Sequence, residues 1–394
     1  MSDYQVRGFK ASVMAAAIKK RGGLDFALIF SEREASAAAV FTANKVKAAP
    51  ILVSQENIKR GKARAIIANS GNANACTGDA GLRSARYTVE GVARGLGITT
   101  EEVLVASTGV IGAPLNTEVI GKALPELVKG LSAEAVPRVV EAIMTTDSFP
   151  KLSLFHGKAG GKPYKVVGMA KGAGMIMPDM ATMLCFVITD ISIDPPRLNE
   201  ALGWGVQRTF NRISVDGDMS TNDTVFVLAN GAAGNGSLGP DEFHEFQAGL
   251  TGVMDELSTM VVRDGEGATK LIRISIKGAA TPQDALTAAR TIANSALVKT
   301  AFYGSDPNWG RIMAALGRSG IRMREQVVAI WVDGVQIVEK GMGRGAEFEA
   351  QAAARMKGKE FSLTVDLHEG QFEDHITTCD LTHEYVTINA DYRT

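Results

Sequence analysis

The sequence has little cysteine, few aromatics, no surplus of one charge and no long apolar run. Its three cysteines, Cys76, Cys185 and Cys379, are far apart and form no CxxC pair. They make neither a disulfide framework nor a zinc site, and they suit a reducing, cytoplasmic setting. Each reads as a small buried hydrophobe. Forty-two basic residues face forty-three acidic ones, and without a concentrated positive field neither nucleic acid nor a membrane surface is an expected partner. Aromatics at 6% leave little for stacking single-stranded bases. The apolar run 11–18 is short, rich in alanine and closed by Lys19 and Lys20, so it reads as part of the fold and not as a signal peptide. No stretch is long enough to span a bilayer. Phosphate-binding GxxxxGK[ST], GxGxxG after a strand, HExxH and GxSxG are all missing. His156, His244, His368, His375 and His383 never take a metal-ligand spacing on one helix. No metal and no bound cofactor is expected. The residues alone leave a Ser-His-Asp arrangement open, although nothing points to one.

What is present is a soluble, globular composition, 45% hydrophobic and 22% charged, over a length that suggests two or three packed units. The first half alternates strand-like runs (26–30, 37–41, 65–68) with helical stretches such as 81–95. Ser132 looks like the N-cap of a helix reaching Met144. Glycines from Gly157 to Gly174 give a freely jointed segment that runs into 182–193, which has the β-branched richness of a buried strand. Helices are expected over 196–211 and 241–262, with a strand at 224–228 between them. The Thr281-Pro282 step is the best candidate for a domain boundary. Beyond it, helices over 284–297 and 307–316 and strands at 327–332, 336–338, 361–367 and 385–388 read as a smaller α+β unit. The fold class is therefore α/β, with α+β layering.

The segment 171–184, KGAGMIMPDMATML, has the properties that self-cleavage requires. Gly172, Gly174 and Pro178 allow or impose a sharp bend, and Ala181 puts little bulk before a threonine hydroxyl. A cut before Thr182 would leave a free α-amine beside that hydroxyl. Such an amine titrates near pH ~8 and can act as its general base. Read alone, the segment is better taken as an ordinary Gly-rich loop leading into a strand.

Several strings in register carry a further signal: NSGNANACTG at 69–78, STGVIG at 107–112, TTDSFPK at 145–151, SVDGDMSTNDT at 214–224, DGEGATK at 264–270, DPNWGRI at 306–312 and THEYVTINADYRT at 382–394. Together with KGAGMIMPDMATML they cover essentially the whole chain, and by them the sequence resembles the ornithine acetyltransferases of arginine biosynthesis. Departures from that family's pattern are Ala173, where Ser is frequent, Met177 and Asp179, where His and Asn are common, and Met219 in place of Thr. None falls on the Ala181–Thr182 pair, although Met177 and Asp179 bear on how fast it would be cut.

The resemblance implies a self-processing, terminal-threonine acyltransferase fold. The chain would divide into 1–181, then 182–280 completing the catalytic domain, and a smaller α+β domain over 281–394. Thr182 would be the nucleophile that carries an acetyl group from N-acetylornithine to glutamate. Thr108 and Gly109 would form the oxyanion hole, through a hydroxyl and a backbone N–H. Thr145, Lys171, Thr182, Glu266, Asn389 and Thr394 would contact substrate, Lys171 pairing with the α-carboxylate and Glu266 attracting a cationic amine. Acetyl-CoA would be a substrate only in a member that also makes N-acetylglutamate afresh. The expected assembly is two copies of each fragment. An amidase or aminopeptidase on the same self-cleaving scaffold is the rival, discharging the acyl group to water. The segments 214–223 and 306–311 read as loop-shaping, without a catalytic role.

Overall fold

The computed structural model describes residues 2–20, 22–177 and 183–390. The strands of the first two thirds are Phe9–Met14 (β1), Phe26–Phe41 (β2), Lys62–Asn72 (β3), Val103–Val110 (β4), Lys151–Ala159 (β5), Lys162–Lys171 (β6), Leu184–Thr189 (β7), Ile213–Ser214 (β8) and Thr224–Ala229 (β9). Leu271–Ala279 (β10), Ala329–Val332 (β11), Val335–Glu339 (β12), Met342–Gly343 (β13), Glu360–Asp366 (β14) and Phe372–Cys379 (β15) follow. The chain forms two compact units, one of 1–172, 179–211 and 219–261, the other of 173–178, 212–218 and 262–394.

The first unit is built on a mixed sheet in the order β4-β3-β2-β9-β7-β6-β5, with β1 paired to β2. β3 with β4 and β7 with β9 run parallel, and the other pairs are antiparallel. Successive residues of these strands point to opposite faces, and on β2, β3 and β4 both faces are buried. Ala27, Ile29, Ile66, Ala68, Leu104 and Ala106 enter one core, with Val136, Val139, Val140 and Ile143 packed on it. Phe26, Leu28, Ala65, Ile67, Val103 and Val105 enter another, under the helices Ala49–Asn57, Gly78–Leu96 and Thr117–Lys129. Strands buried on both faces read as continuous apolar runs, which is why their sequences do not alternate.

The runs 26–30 and 37–41, expected as two strands, form one. Glu32, Arg33 and Glu34 stay exposed where the β2–β3 register shifts, and β2 then pairs with β9. Ser132 caps no long helix. It bridges to Ala11, and a 3-10 turn at Val136–Arg138 leads into the short helix Val139–Ile143. Gly157, Gly160, Gly161 and Gly168 belong to the β5–β6 hairpin and not to a freely jointed segment, and only Gly172 and Gly174 lie beyond it. Of the cysteines, Cys185 and Cys379 are buried, but Cys76 is exposed.

The second unit carries a sheet in the order β13-β12-β11-β14-β10-β15-β8. Ile272, Ile274 and Ile276 of β10 alternate inward and meet Ala285, Ala288, Ala289 and Ile292 of the helix Pro282–Ala293. That three-and-four spacing is one helical face. Thr281 caps this helix by accepting from the Asp284 N–H, so the Thr281-Pro282 step is a helix start within the unit. Residues 385–388, expected as a strand, lie in the helix His383–Ala390. The β-branched residues that suggested a strand include Val386, which is 65% exposed. Among the described residues no helix is long and apolar enough to cross a membrane.

Candidate active site

Thr108 and Gly109 close β4 beside the NSG of β3, with Ser70 opposite Thr108 and Gly71 opposite Gly109. Gly109 has φ +131°, and a Cβ there would stand 2.3 Å from the Gly71 carbonyl carbon and 2.5 Å from Asn72 N. The neighbouring strand fills the space a side chain would need, so any larger residue is excluded by backbone. The strand ends are fixed by amides. Ser107 Oγ donates to Asn69 Oδ1 at 2.6 Å, and Asn222 Nδ2 donates to the carbonyls of Ala73 (2.7 Å) and Ser107 (2.8 Å). Asn222 shows what part of the SVDGDMSTNDT string does.

Lys171 ends β6, opposite Leu184 of β7, and is only 3% exposed. Its ammonium donates to Thr108 Oγ1 at 3.2 Å. An ammonium has no acceptor, so the Thr108 oxygen accepts and its own proton remains available to a third group. Two residues assigned to different tasks thus touch.

Asp147, in the TTDSFPK string, had no role assigned from sequence. Its buried carboxylate accepts from Lys151 Nζ at 2.7 Å, from the Gly172 N–H at 2.6 Å and from the Thr145 N–H at 2.9 Å. Thr145 therefore meets this centre through its backbone. Burial pushes the Asp147 carboxyl up, but the charges of Lys171 and Lys151 with these hydrogen bonds outweigh it and hold it at about 2. Lys19, read from sequence only as closing an apolar run, donates to the Leu24 carbonyl at 2.8 Å. Burial lowers its pKa, Asp25 opposes that and Lys171 adds to it, so its charge is felt at the same centre. Both Lys151 and Asp147 side chains have no solvent exposure. Asp147→Asn should therefore strand buried ammonium charge and destabilise the fold by about 3–5 kcal/mol. Because the native carboxyl titrates below the unfolded value, its contribution is complete above pH ~4 and is lost as pH falls toward ~2. Urea midpoints of wild type and variant should converge over that interval, and a constant gap would remove Asp147 as the cause.

In the second unit Glu266 is 9% exposed, and its Oε2 accepts from Asn389 Nδ2 at 2.8 Å. The helix His383–Ala390 makes this possible, since Tyr385 and Asn389 share one face at i, i+4. A Cβ on Gly174 would stand 2.3–2.6 Å from the Glu266 carboxylate atoms, so that carboxylate lies directly over the glycine. Asp216, a residue that sequence reading did not single out, accepts from the N–H groups of Met175 (2.5 Å) and Ile176 (2.9 Å). Burial raises the Asp216 carboxyl despite those bonds. The Tyr385 hydroxyl reaches Asp216 at 3.4 Å, and its pKa is raised by burial first, then by the Asp216 and Glu266 charges. Asp216 thus holds the backbone at Met175 and Ile176. Ala181, Thr182 and Thr394 lie outside the described residues.

A layered α/β fold that gathers buried lysines, carboxylates and a glycine-closed strand end is that of an enzyme handling small charged molecules. The chain matches the ArgJ family over residues 10–394 and belongs to it. An arginine biosynthesis bifunctional protein ArgJ of Geobacter sulfurreducens is 51% identical, over 99% of this chain and 100% of its own length. A glutamate N-acetyltransferase of Methanocaldococcus jannaschii is 46% identical, over 98% of this chain and 97% of its own. A solved structure of the arginine biosynthesis bifunctional protein ArgJ from Bacillus halodurans is 42% identical, with a TM-score of 0.50. It covers 52% of this chain and 97% of the solved one.

Proposed function

We propose that the chain cuts itself between Ala181 and Thr182 and then moves an acetyl group from N2-acetyl-L-ornithine to L-glutamate through acetyl-Thr182. The Lys171–Thr108 contact carries this reading, because it buries a hydroxyl whose proton is free beside a fixed positive charge. The Thr182 α-amine takes the hydroxyl proton as Oγ attacks the acetyl carbon. Thr108 and the Gly109 N–H donate to the resulting oxyanion. The C–N bond breaks as that proton passes to the departing ornithine nitrogen, leaving an acetyl ester on Thr182. A neutral glutamate amine then attacks the ester and restores the hydroxyl.

Lys171 pairs with the substrate carboxylate, with Thr145 beside it. Glu266 and Asn389, with Thr394, bind the amine-bearing end. The names of the relatives support transfer over hydrolysis. The Bacillus halodurans chain is a little over half as long as this one, which is the length of the 182–394 fragment and supports a cut there. The bifunctional name of the Geobacter relative supports acetyl-CoA as a second acetyl donor to glutamate. The active assembly on this reading is two copies of each fragment, in the cytoplasm, with no cofactor.

Initial rates against N-acetylornithine at several glutamate levels should give parallel lines. With N-acetylornithine alone, the 182–394 fragment should gain one acetyl group by intact mass. Intersecting lines without an acetylated fragment would mean direct transfer in a ternary complex, and Thr182 would not be the carrier. A parallel assay with glutamate and acetyl-CoA tests the second donor.

A further inference from the structure

Asp223 stands just before β9 and is fully buried. One of its oxygens, Oδ1, accepts the Met183 N–H at 3.0 Å. The other, Oδ2, is buried and has no hydrogen-bond partner among the described residues. The nearby Thr42 hydroxyl lowers the Asp223 carboxyl slightly but donates to the Ser220 carbonyl at 2.7 Å and leaves Oδ2 unserved. An unpartnered buried carboxylate oxygen is costly and calls for a donor. Burial raises the Asp223 carboxyl well above the usual range, and neither the Met183 bond nor the charge of Lys171 offsets it.

Met183 is the residue after Thr182. The α-nitrogen of residue 182 is three bonds from the Met183 nitrogen, so the two lie about 3 Å apart by covalent geometry alone. A carboxylate that binds one of them through Oδ1 can present its second oxygen to the other.

We infer that Asp223 is a positioning residue for the proposed reaction: its free oxygen receives a hydrogen bond from the α-amine that cleavage creates on Thr182, turning that amine's lone pair toward the threonine hydroxyl. When the amine takes the hydroxyl proton, the ammonium so formed is paired with the Asp223 carboxylate, and the proton then leaves with the departing amine. Asp223 thereby acts on the terminal amine as a buried aspartate acts on a catalytic histidine. This inference rests on the terminal-threonine reading.

Asp223→Asn retains an acceptor for the Met183 N–H but presents an amide donor where the amine needs an acceptor. The variant is expected to fold and to cut itself, because the amine does not exist before the cut. Its kcat for acetyl transfer should fall on the order of a hundred-fold or more, with KM for glutamate little changed. The rising limb of its pH–rate profile should move about one pH unit toward acid, since the amine loses its counter-charge. A cut, folded variant with wild-type kcat and an unmoved limb would overturn the inference. If the variant does not fold or does not cut, the wild-type amine decides, by the pH dependence of its carbamylation with cyanate. A midpoint above that of a free terminus, about 8, is expected, and one below it refutes the pairing. Failure of the underlying reading is separate. There the wild-type protein itself would stay uncut, or would carry no acetyl group on the 182–394 fragment.

Discussion

Thr182→Ala should persist as a single full-length chain and show no acetyl transfer. Alanine keeps the backbone but has no oxygen to attack the Ala181 carbonyl, so neither the cut nor the terminal amine can form. Two functions vanish together, nucleophile and base, and the loss in kcat should be on the order of ten-thousand-fold or more, to the background left by binding alone. Thr182→Ser keeps the hydroxyl and should still cut, more slowly, giving a 182–394 fragment with a serine terminus. N-terminal sequencing and intact mass read both outcomes. A fragment that starts at any other residue, or a whole chain that transfers acetyl groups at the wild-type rate, would sink the mechanism.

Thr108→Ala should fold, yet lose on the order of a hundred- to a thousand-fold in kcat, the usual result of deleting one oxyanion donor. KM should change little, because the lost hydrogen bond strengthens only as the oxyanion forms. The variant also removes one acceptor of the Lys171 ammonium, whose backbone stays paired with Leu184 at the end of β6. Thr108→Ser restores the donor and should recover most of the rate. Self-cleavage should slow in Thr108→Ala as well if one pocket stabilises both intermediates, as a time course of fragment appearance would show. A normal kcat in the folded variant removes Thr108 from the site. Gly109 offers no matching experiment. A side chain there would strike the backbone of Gly71 and Asn72, so the variant would report on the strand pairing instead of the chemistry.

Much of this was open to a reader of the residues alone. The motif strings name Thr108, Gly109, Lys171, Glu266 and Asn389, and the family follows from them. Long amphipathic helices such as Pro240–Arg263 were legible because their apolar residues recur at helical spacing over many turns. The helix His383–Ala390 was not. It is short and β-branched, and tertiary contacts of Tyr385 and Asn389 outweigh its local preference. The β5–β6 hairpin was missed for the opposite reason. Its glycines signalled freedom, but cross-strand pairing from Lys151↔Ala170 to Ala159↔Lys162 holds the backbone straight.

Residue identity decides chemistry and order along the chain, and those are local properties that a sequence states outright. Which charges share a centre depends instead on strands and helices brought together from distant positions. Only the tertiary structure put Lys171 against Thr108, gave Asp147 its lysine partner and its bond to the Gly172 N–H, and left Asp223 with an unserved oxygen beside the Met183 N–H. Nothing in a TTDSFPK or STNDT string says that its aspartate will be buried. Burial follows from how the sheet closes over it. Burial pushes Asp223 well above its usual range, whereas at Asp147 the charges of Lys171 and Lys151 and the hydrogen bonds overcome burial and hold the carboxyl at about 2.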